Sequence, residues 1–411
     1  MFKTRDIVCA VELGTSKICV LIGEVGADLY PTIIGHSIIP SANAIVKGEI
    51  TDMKRAGELL AQALEKADRA SGGELENCRL ATVVATGCAI DSLQGSGIVT
   101  VRNPDRIVTE IERAEANESA RTVDIASDRE ILNTCESYFL VDKRRVNNPI
   151  GQSCHRLEAV IHVVHAKRSG LENFRRIFSE YGLEDVRVEP VFSPLADAFG
   201  VLRDHERENG SLLVNIGAGT TEYLVNSDNG VCASGMLQVG MEHVANDLAI
   251  GFNMHIDRAR ELLRGILERA SAAHQEFLEI PAQGGRKRRI PIAGCERIVE
   301  ARLREIFEII RHKLIEKKAP RTLSAGGIIT GGGAEYYRTK DIFSDVFDLS
   351  CRIAGPADIG GAATDLETPR FSTVWGALKS AAFFLQSLAP EQQGVLKRLF
   401  KKFNRALDRN N

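Results

Sequence analysis

The strongest constraint on the fold is a short sequence design that occurs twice in the chain. The first copy covers residues 7–24 and reads IVCAVELGTSKICVLIGE; the second covers residues 211–225 and reads SLLVNIGAGTTEYLV. In both copies an apolar run leads into a turn that carries glycine and hydroxyl side chains, and a second apolar run follows. This pattern predicts a β-hairpin with a glycine-rich tip. Two such hairpins, each opening one half of the chain, predict a duplicated α/β unit.

The tips of these hairpins suit a phosphate group. Gly217 and Gly219 bracket the second tip, and hydroxyl side chains follow at Thr220 and Thr221. Glycine allows backbone N–H groups to approach an anion closely, and threonine adds further donors. One hairpin of this kind fits an ordinary turn equally well. The duplication favours a phosphate held between the two halves.

A third glycine-rich strand end lies at residues 326–334, which read GGIITGGGA. Together with the hairpin tips at residues 13–17 and 216–221, it indicates a phosphate clamp built from three turns. The chain lacks the GxxxxGK[ST] loop, a GxGxxG after a strand, the GxSxG elbow and HExxH. His162 and His165 are three residues apart on one predicted strand. Because side chains alternate along a strand, these two are expected to face opposite sides and not to share a metal.

Composition narrows the class of protein. The 411 residues suffice for two or more domains, and the net charge of −3 argues against a nucleic-acid partner. The nine cysteines are scattered without a CxxC pair, which favours free thiols in a reducing cytoplasm. The N-terminus lacks the apolar region of a signal peptide, and no apolar run of about 18 residues occurs. We therefore expect neither a secretory leader nor a membrane-spanning helix.

The sequence pattern of residues 86–165 differs from that of the rest of the first half. They predict a strand–helix–strand module inserted into that half, with its helix over residues 104–120. Ile107 and Ile111 are expected on the inward face of this helix.

Three further helix boundaries are predicted from the sequence. Ser193 is expected as the N-cap of a helix whose first position is Pro194. A long amphipathic helix is predicted over residues 298–317, and another helix is expected to begin at Glu335. Residues 284–289, GGRKRR, predict a basic loop between two short strands.

The order of the three glycine turns resembles that of a known superfamily. The segments AVELGTSK, VNIGAGTT and IITGGGA are similar to motifs of actin, the heat-shock chaperone ATPases and the sugar kinases. The resemblance implies an α/β, actin-like (ribonuclease H-like) duplicated fold of two lobes, with ATP and Mg²⁺ between them. It assigns the β- and γ-phosphates to the hairpins and the adenosine to the third turn. The residues implied in binding are Gly14, Thr15, Ser16, Lys17, Asn215, Gly217, Ala218, Gly219, Thr220, Gly331, Gly332 and Gly333.

Within this superfamily the chain resembles the FtsA family of bacterial cell division proteins. The resemblance runs nearly end to end and is carried by residues 148–164 (NPIGQSCHRLEAVIHVV), 47–52 (KGEITD), 193–199 and 284–289. It implies an FtsA-type inserted, SHS2-like subdomain. The implied division is a first lobe (1–85, 166–208 and a C-terminal helix at 366–389), the insert (86–165), a second lobe (209–243 and 304–365) with a smaller subdomain (244–303), a linker (390–394) and an amphipathic membrane-targeting helix (395–411).

The resemblance also implies a function. Proteins of this family bind ATP, form polymers, anchor the FtsZ ring to the inner face of the cytoplasmic membrane at the division site and help to recruit later divisome proteins. The C-terminal peptide of FtsZ is expected on the smaller second-lobe subdomain. Arg302 and Glu305 match a family R-x-x-E pattern associated with that peptide.

The pattern of residues 395–409 predicts an amphipathic helix. Its apolar residues recur at spacings of three and four, and six basic residues stand against the single Asp408. A helix packed on the protein body with a solvated basic face would show the same pattern. Anionic lipid is the favoured partner, through Leu396, Leu399, Phe400, Phe403, Leu407, Lys397 and Lys401.

The chain departs from the superfamily pattern at three positions. Asn215 stands where a carboxylate usually helps to hold Mg²⁺ through water, and a neutral amide holds the metal more weakly. Replacing Asn215 by aspartate is therefore expected to strengthen the dependence on Mg²⁺. Ala218 replaces a glycine of the second tip, and Leu263 replaces a family lysine. These departures imply at most a slow ATPase.

Two alternatives remain. A sugar kinase or phosphatase of the same fold would need a carboxylate base near the phosphates, for which Glu12 is available, but Asn215 argues against it. A PilM-like adaptor of pilus assembly would not need the basic segment at residues 395–411.

Overall fold

Two related halves and one insert make up the part of the chain that the computed structural model describes, residues 6–26, 29–87, 89–268, 276–281, 287–320, 322–357, 359 and 364–387. The strands are β1 (Asp6–Leu13), β2 (Lys17–Val25), β3 (Pro31–Pro40), β4 (Ile45–Val46), β5 (Glu49–Ile50), β6 (Cys78–Ala85), β7 (Asp91–Thr100), β8 (Arg129–Val141), β9 (Arg144–Val146), β10 (Arg156–Lys167), β11 (Arg187–Phe192), β12 (Ser211–Ile216), β13 (Thr221–Ser227), β14 (Gly230–Leu237), β15 (Phe277–Pro281), β16 (Lys287–Pro291), β17 (Gly326–Thr330) and β18 (Cys351–Ile353). The helices are α1 (Met53–Ser71), α2 (Glu110–Ala120), α3 (Arg168–Glu180), α4 (Ser193–Val201), α5 (Asp204–Glu208), α6 (Met241–Gly251), α7 (Ile256–Leu267), α8 (Ile292–Glu316), α9 (Thr339–Phe347) and α10 (Ser372–Ser387).

The two halves are built on sheets of the same topology. The first sheet has the order β3–β2–β1–β6–β11 and the second the order β14–β13–β12–β17–β18. In each, an antiparallel hairpin supplies the central strand, and two parallel strands extend the sheet on its other side. All six residues of β12 and five consecutive residues of β1 are buried, as expected for strands covered on both faces. The duplicated α/β unit predicted from the hairpins is confirmed.

The bounds of helix α1, which lies beside the candidate site, are determined by its local sequence. Asp52, the last residue of the KGEITD turn, caps the helix by accepting a hydrogen bond from the Arg55 N–H at 2.9 Å. Leucines and alanines at helical spacing form its buried stripe. Gly72 ends it in the left-handed conformation at φ 83°, which costs glycine little. The turn before the helix is thereby held in place.

Helix α10 closes the first half from the far end of the chain. It packs on β1, β2 and β6 and crosses α4 closely. At the crossing Gly376 approaches the backbone of Ala196 so nearly that a Cβ would overlap the Ala196 carbonyl. This contact brings the start of α10 and the middle of α4 under the end of β12, where the candidate site lies.

The insert has its own small core. Its sheet has the order β7–β10–β8–β9, with α2 packed on β7 and β10. The helix begins at Glu110 and not at residue 104, because the capping box formed by Thr109 and Glu112 stops it there. Ile107 and Ile111 are 40% and 64% exposed, so their predicted inward orientation is wrong, and Ala116 and Ala120 are the buried residues.

The insert also covers the edge strand β14 of the second half. Ser92 donates a hydrogen bond to the Ser234 carbonyl at 2.7 Å, and Gln94 donates to the Cys232 carbonyl at 3.2 Å. From the end of α8, Lys317 reaches Asp91 at 3.0 Å. Covering an edge strand in this way removes a surface for unwanted strand pairing.

Other predicted boundaries need correction. Ser193 is the first residue of α4 and not its N-cap, since its hydroxyl donates to Glu222 across the halves. Glu335 lies in a short 3₁₀ turn (Gly332–Glu335), where its carboxylate accepts hydrogen bonds from Arg370, and the next helix begins only at Thr339. The long helix begins at Ile292, six residues earlier than predicted. Within the described part of the chain, no helix is long and apolar enough to cross a bilayer.

Candidate functional site

A cleft of about 880 Å³ lies where the two hairpin tips face each other. Its volume falls within the range of small-molecule sites, about 300–1,000 Å³. It brings together nearly all the predicted nucleotide-binding residues from both halves: Gly14, Thr15, Ser16, Lys17, Asn215, Gly217, Ala218, Gly219, Thr220, Gly331 and Gly332. Gly333 does not line it and is buried instead against Ile216 and Met241, where a side chain would overlap Ile216.

The two tips have the same backbone geometry. The Gly14 N–H donates to the Lys17 carbonyl and the Gly217 N–H donates to the Thr220 carbonyl, each at 2.9 Å. A Cβ on either glycine would lie 2.9–3.0 Å from the same carbonyl oxygen that its N–H contacts. Each tip therefore closes tightly because its first residue is glycine.

The tips approach each other closely across the cleft. A Cβ on Gly219 would overlap the Thr15 hydroxyl of the opposite tip and would lie 2.9 Å from Lys47 Cα. Thr15 in turn accepts a hydrogen bond from the Gly48 N–H at 3.3 Å. The turn before α1 thus forms one wall of the narrowest part of the cleft.

Lys17 is held at the side of the first tip. Its Nζ donates to the Arg370 carbonyl at 2.9 Å, lies 3.5 Å from Glu12 Oε2, and sits 5.1 Å from the centre of the Phe371 ring. The ammonium group remains partly accessible from the cleft, with 17% of the side chain exposed. An anionic ligand at the first tip would meet this cation.

Glu222 is a site residue that the sequence reasoning missed. Its carboxylate is buried and accepts hydrogen bonds from the hydroxyls of Thr86, Ser193 (2.7 Å) and Thr220 (3.4 Å). Burial raises the pKa of Glu222, and the hydroxyl donors partly oppose that rise. Because Thr86 and Ser193 belong to the first half and Glu222 to the second, this cluster joins the halves at the floor of the cleft. Glu222 is the one charged residue of β13, and a charge in a fully buried stretch of strand was the available signal.

Asn215, the predicted metal residue, belongs to a buried network with a second missed carboxylate. Its amide nitrogen donates to Asp197 Oδ2 at 2.8 Å and to Thr373 Oγ1 at 2.9 Å. Thr373 donates to Asp197 Oδ1 at 2.7 Å. Asp197 is fully buried, and this desolvation raises its pKa to about 8 against the lowering effect of the two hydrogen bonds. Asp197 lies in the segment 193–199 but carried no predicted role.

The metal chemistry available to the site is limited. Among the residues that the structure describes, no three His, Cys, Asp or Glu side chains are grouped to hold an ion. The oxygen atoms that the cleft offers suit Mg²⁺. This ion keeps several bound waters and is held by one or two protein oxygens together with substrate phosphates. In Asn215, the predicted metal residue, the amide oxygen is the atom that could act as such a ligand.

Helices α6 and α7 form a further wall of the cleft. The first N–H groups of α6 are used by the second tip, since Met241 donates to the Gly217 carbonyl at 3.0 Å and Glu242 to the Ala218 carbonyl at 2.8 Å. Glu242 also pairs with Arg260 of α7 at 2.9 Å, and both side chains line the cleft. Leu263 lines this wall where the family lysine was expected, so Arg260 supplies the cation next to Glu242.

The two predicted partner-binding residues lie away from the cleft, on α8. Arg302 makes a two-pronged ion pair with Asp247 of α6 at 2.9 and 3.0 Å and also contacts Glu305. About half of the Glu305 side chain is exposed. The predicted membrane residues, Leu396, Lys397, Leu399, Phe400, Lys401, Phe403 and Leu407, lie outside the described residues.

Solved structures of similar fold cover most of the chain. The structure titled "PilM-PilN type IV pilus biogenesis complex" matches with a TM-score of 0.58 at 15% identity, covering 93% of this chain and 99% of that one. MreB5 of Spiroplasma citri bound to ADP matches with a TM-score of 0.54 at 15% identity, covering 93% and 98%. At this identity the likeness concerns the fold alone.

The fold and the cleft define an actin-like protein with a subdomain inserted in its first half. A model described as "Cell division protein FtsA" matches residues 212–376, and one described as "SHS2 domain inserted in FTSA" matches residues 87–165. Together they account for more than half of the chain, and the chain belongs to the FtsA family. The FtsA-type inserted subdomain implied by the resemblance is confirmed.

Curated relatives extend the match to nearly the whole length. The cell division protein FtsA of Neisseria meningitidis is 27% identical over 404 residues, which cover 96% of this chain and 95% of the relative. That of Pseudomonas aeruginosa is 28% identical over 382 residues, which cover 92% and 89%.

Proposed function

We propose that this protein binds Mg-ATP in the cleft and works as a polymer-forming adaptor that attaches FtsZ to the inner face of the cytoplasmic membrane. The observation that carries the nucleotide site is the pair of opposed glycine tips with identical backbone closure. The β- and γ-phosphates would lie between residues 14–17 and 217–220. The adenosine would lie along Gly331 and Gly332, with Gly333 behind them. Asn215 would meet the metal through water.

Support comes from both the chemistry of the cleft and the relatives. Lys17 faces the first tip as a cation, and MreB5 of Spiroplasma citri, which shares the fold, was solved bound to ADP. Family membership supports the role in division, including attachment to FtsZ and recruitment of later divisome proteins. Self-association into polymers is part of the same proposal.

We expect ATP binding with slow turnover. Asn215 offers the metal a neutral amide oxygen where a carboxylate would hold Mg²⁺ more firmly, and this weaker hold on the metal is expected to slow hydrolysis. Isothermal calorimetry should detect Mg-ATP binding, and a phosphate-release assay should give a rate far below the roughly 1–100 s⁻¹ of kinases. No heat of binding at millimolar ATP would refute the site. A kinase-like rate would instead favour the enzyme alternative.

The proposed docking surface for the FtsZ C-terminal peptide is the region of residues 244–303 together with Glu305. Lys287 pairs with Glu279 at 2.9 Å, and Arg289 stacks over the Phe277 ring at 4.3 Å. Among the described residues Arg288 makes no ion pair. A basic strand of this kind suits a peptide that ends in a carboxylate, since charge complementarity favours the encounter.

Replacing Arg302 by glutamate is expected to lower peptide affinity at least about tenfold, because it reverses the charge on this surface. It also sets a carboxylate beside Asp247, so some loss of thermal stability should accompany it. Arg304→Glu is the matched control, since Arg304 lies on the same helix and pairs with Asp345 at 3.0 Å. Fluorescence anisotropy with a labelled FtsZ peptide measures both variants. Equal affinity of the two variants would remove Arg302 from the interface.

A PilM-like adaptor role is the second candidate, favoured by the fold likeness to the pilus complex. Both candidates are adaptors, and dependence on the basic segment at residues 395–411 separates them.

A further inference from the structure

The orientation of the Asn215 amide follows from its partners. Thr373 has one hydroxyl proton, and it donates that proton to Asp197 Oδ1 at 2.7 Å. The Thr373 oxygen can then only accept, and the Asn215 amide nitrogen donates to it at 2.9 Å. The same nitrogen donates to Asp197 Oδ2 at 2.8 Å. Both amide protons of Asn215 are therefore used by groups on α4 and α10.

The amide oxygen of Asn215 lies on the side of the amide that does not contact Asp197 or Thr373. A Cβ on Gly331 would overlap Asn215 Oδ1, so this oxygen lies against the third glycine turn. Gly331 lines the cleft and has φ +83°, a conformation that excludes most side chains. An oxygen, and not an N–H group, is thus the atom of Asn215 nearest to this cleft-lining turn.

We propose that Asp197 is a positioning residue, which locks the Asn215 amide so that its oxygen, and not its N–H groups, is left for the water shell of a bound nucleotide's metal ion. This rests on the proposed function. A flipped amide would place Oδ1 against both Asp197 Oδ2 and Thr373 Oγ1. Even with Asp197 protonated, as its raised pKa allows, the hydroxyl and the carboxyl would supply two protons for three close contacts, so one pair of oxygen acceptors would be left in contact. The Asp197 carboxylate would therefore contact the neutral ligand Asn215 and not the metal. It would determine whether the amide oxygen or the amide N–H groups of Asn215 meet the metal's water shell.

The network changes the expectation for Asn215→Asp. That single substitution would bring two carboxylates into contact in a buried place, so only one could ionise. It should lower the melting temperature without a clean gain in Mg²⁺ dependence. Exchanging the two residues, Asp197→Asn with Asn215→Asp, keeps one carboxylate and one amide in contact and places the carboxylate next to the cleft.

The binding test is the ratio of ATP affinities with and without Mg²⁺, measured by calorimetry on the full chain. We expect Asp197→Asn to reduce this ratio about tenfold, since either amide orientation then becomes possible, which corresponds to about 1.4 kcal/mol. The exchanged double variant should restore the ratio or exceed it, and Mg-free affinity should stay constant. An unchanged ratio in Asp197→Asn, or an equal loss of Mg-free affinity, would overturn the proposal.

A matched control separates positioning from stability. Glu206 is another buried carboxylate, paired with Arg352 at 2.6 and 2.7 Å and absent from the cleft lining. Glu206→Gln should lower the melting temperature and leave the Mg²⁺ ratio unchanged. A change of the ratio like that of Asp197→Asn would show a general effect of destabilisation and would overturn the assignment.

A second measurement needs no nucleotide. In side-chain amide NMR of the free protein, both Nδ2 protons of Asn215 should exchange slowly with solvent, and Asp197→Asn should remove that protection. Fast exchange in the unsubstituted protein would overturn the lock. Slow exchange together with undetectable ATP binding would instead contradict the proposed function and leave the lock standing.

Discussion

Gly219→Val should weaken ATP binding by up to about 100-fold in affinity. A Cβ at this position would overlap the Thr15 hydroxyl and would lie within 2.9–3.0 Å of the Lys47 backbone, which belongs to the other half. Backbone cannot rotate away as a side chain can, so the tips must separate. Overpacking of this kind costs about 1–3 kcal/mol, and about 2.7 kcal/mol corresponds to 100-fold. Calorimetry with Mg-ATP measures the loss.

The control for this variant is Gly265→Ala. Gly265 lies in α7, and a Cβ there meets nothing within 4 Å. Alanine is favoured over glycine inside a helix by up to about 1 kcal/mol. Gly265→Ala should therefore keep ATP affinity and raise the melting temperature slightly. Retained affinity in Gly219→Val would mean that ATP does not depend on the close approach of the tips.

Deleting residues 395–411 should release the protein from anionic vesicles at physiological salt while its melting temperature stays unchanged. The segment carries six basic residues against one acidic residue, and each basic residue near an anionic surface adds about 1 kcal/mol. Its apolar residues are expected to enter the headgroup boundary. One predicted helix of this kind would bind weakly, so polymers would be needed to multiply the contacts into stable attachment. Co-sedimentation with vesicles measures the effect.

Point variants separate the apolar contribution from charge. Phe400→Glu with Phe403→Glu should release the protein as the deletion does, and the neutral pair Phe400→Gln with Phe403→Gln should also weaken binding severely. Retained binding of the neutral pair would assign attachment to charge alone. If the truncated chain still co-sediments with vesicles at physiological salt, the segment is not the membrane anchor. The pilus-adaptor role would then be the favoured candidate.

The two hairpins could be predicted from local sequence patterns, whereas the hydrogen-bond network beneath them could not. Each hairpin follows from a contiguous pattern of apolar run, glycine turn and apolar run, so the duplication could be predicted. The contact of Gly219 with Thr15 and Lys47 could not, because it depends on how the halves close. Glu222 and Asp197 were missed for the same reason, since their partners lie far along the chain.

Arg302 illustrates a similar limit at the proposed FtsZ surface. The R-x-x-E pattern, through the family resemblance, associated Arg302 and Glu305 with binding of the FtsZ peptide. In the structure Asp247, 55 residues earlier, already holds Arg302 with two hydrogen bonds. The helix start at Glu110 shows the opposite case, where a local capping box outweighs an apolar spacing that suggested six more residues.

The sequence by itself determined the duplicated fold, the insert and the glycine-rich turns that line the cleft, because apolar periodicity and glycine turns act over a few residues. Only the tertiary structure decided how those residues are oriented and which carboxylates stand behind them. Asp197, Asn215 and Thr373 lie on three separate elements, and the orientation of one amide is set by hydrogen bonds that exist only after β12, α4 and α10 have packed. Hydrogen-bond direction is a property of that packed arrangement, and no spacing along the chain encodes it.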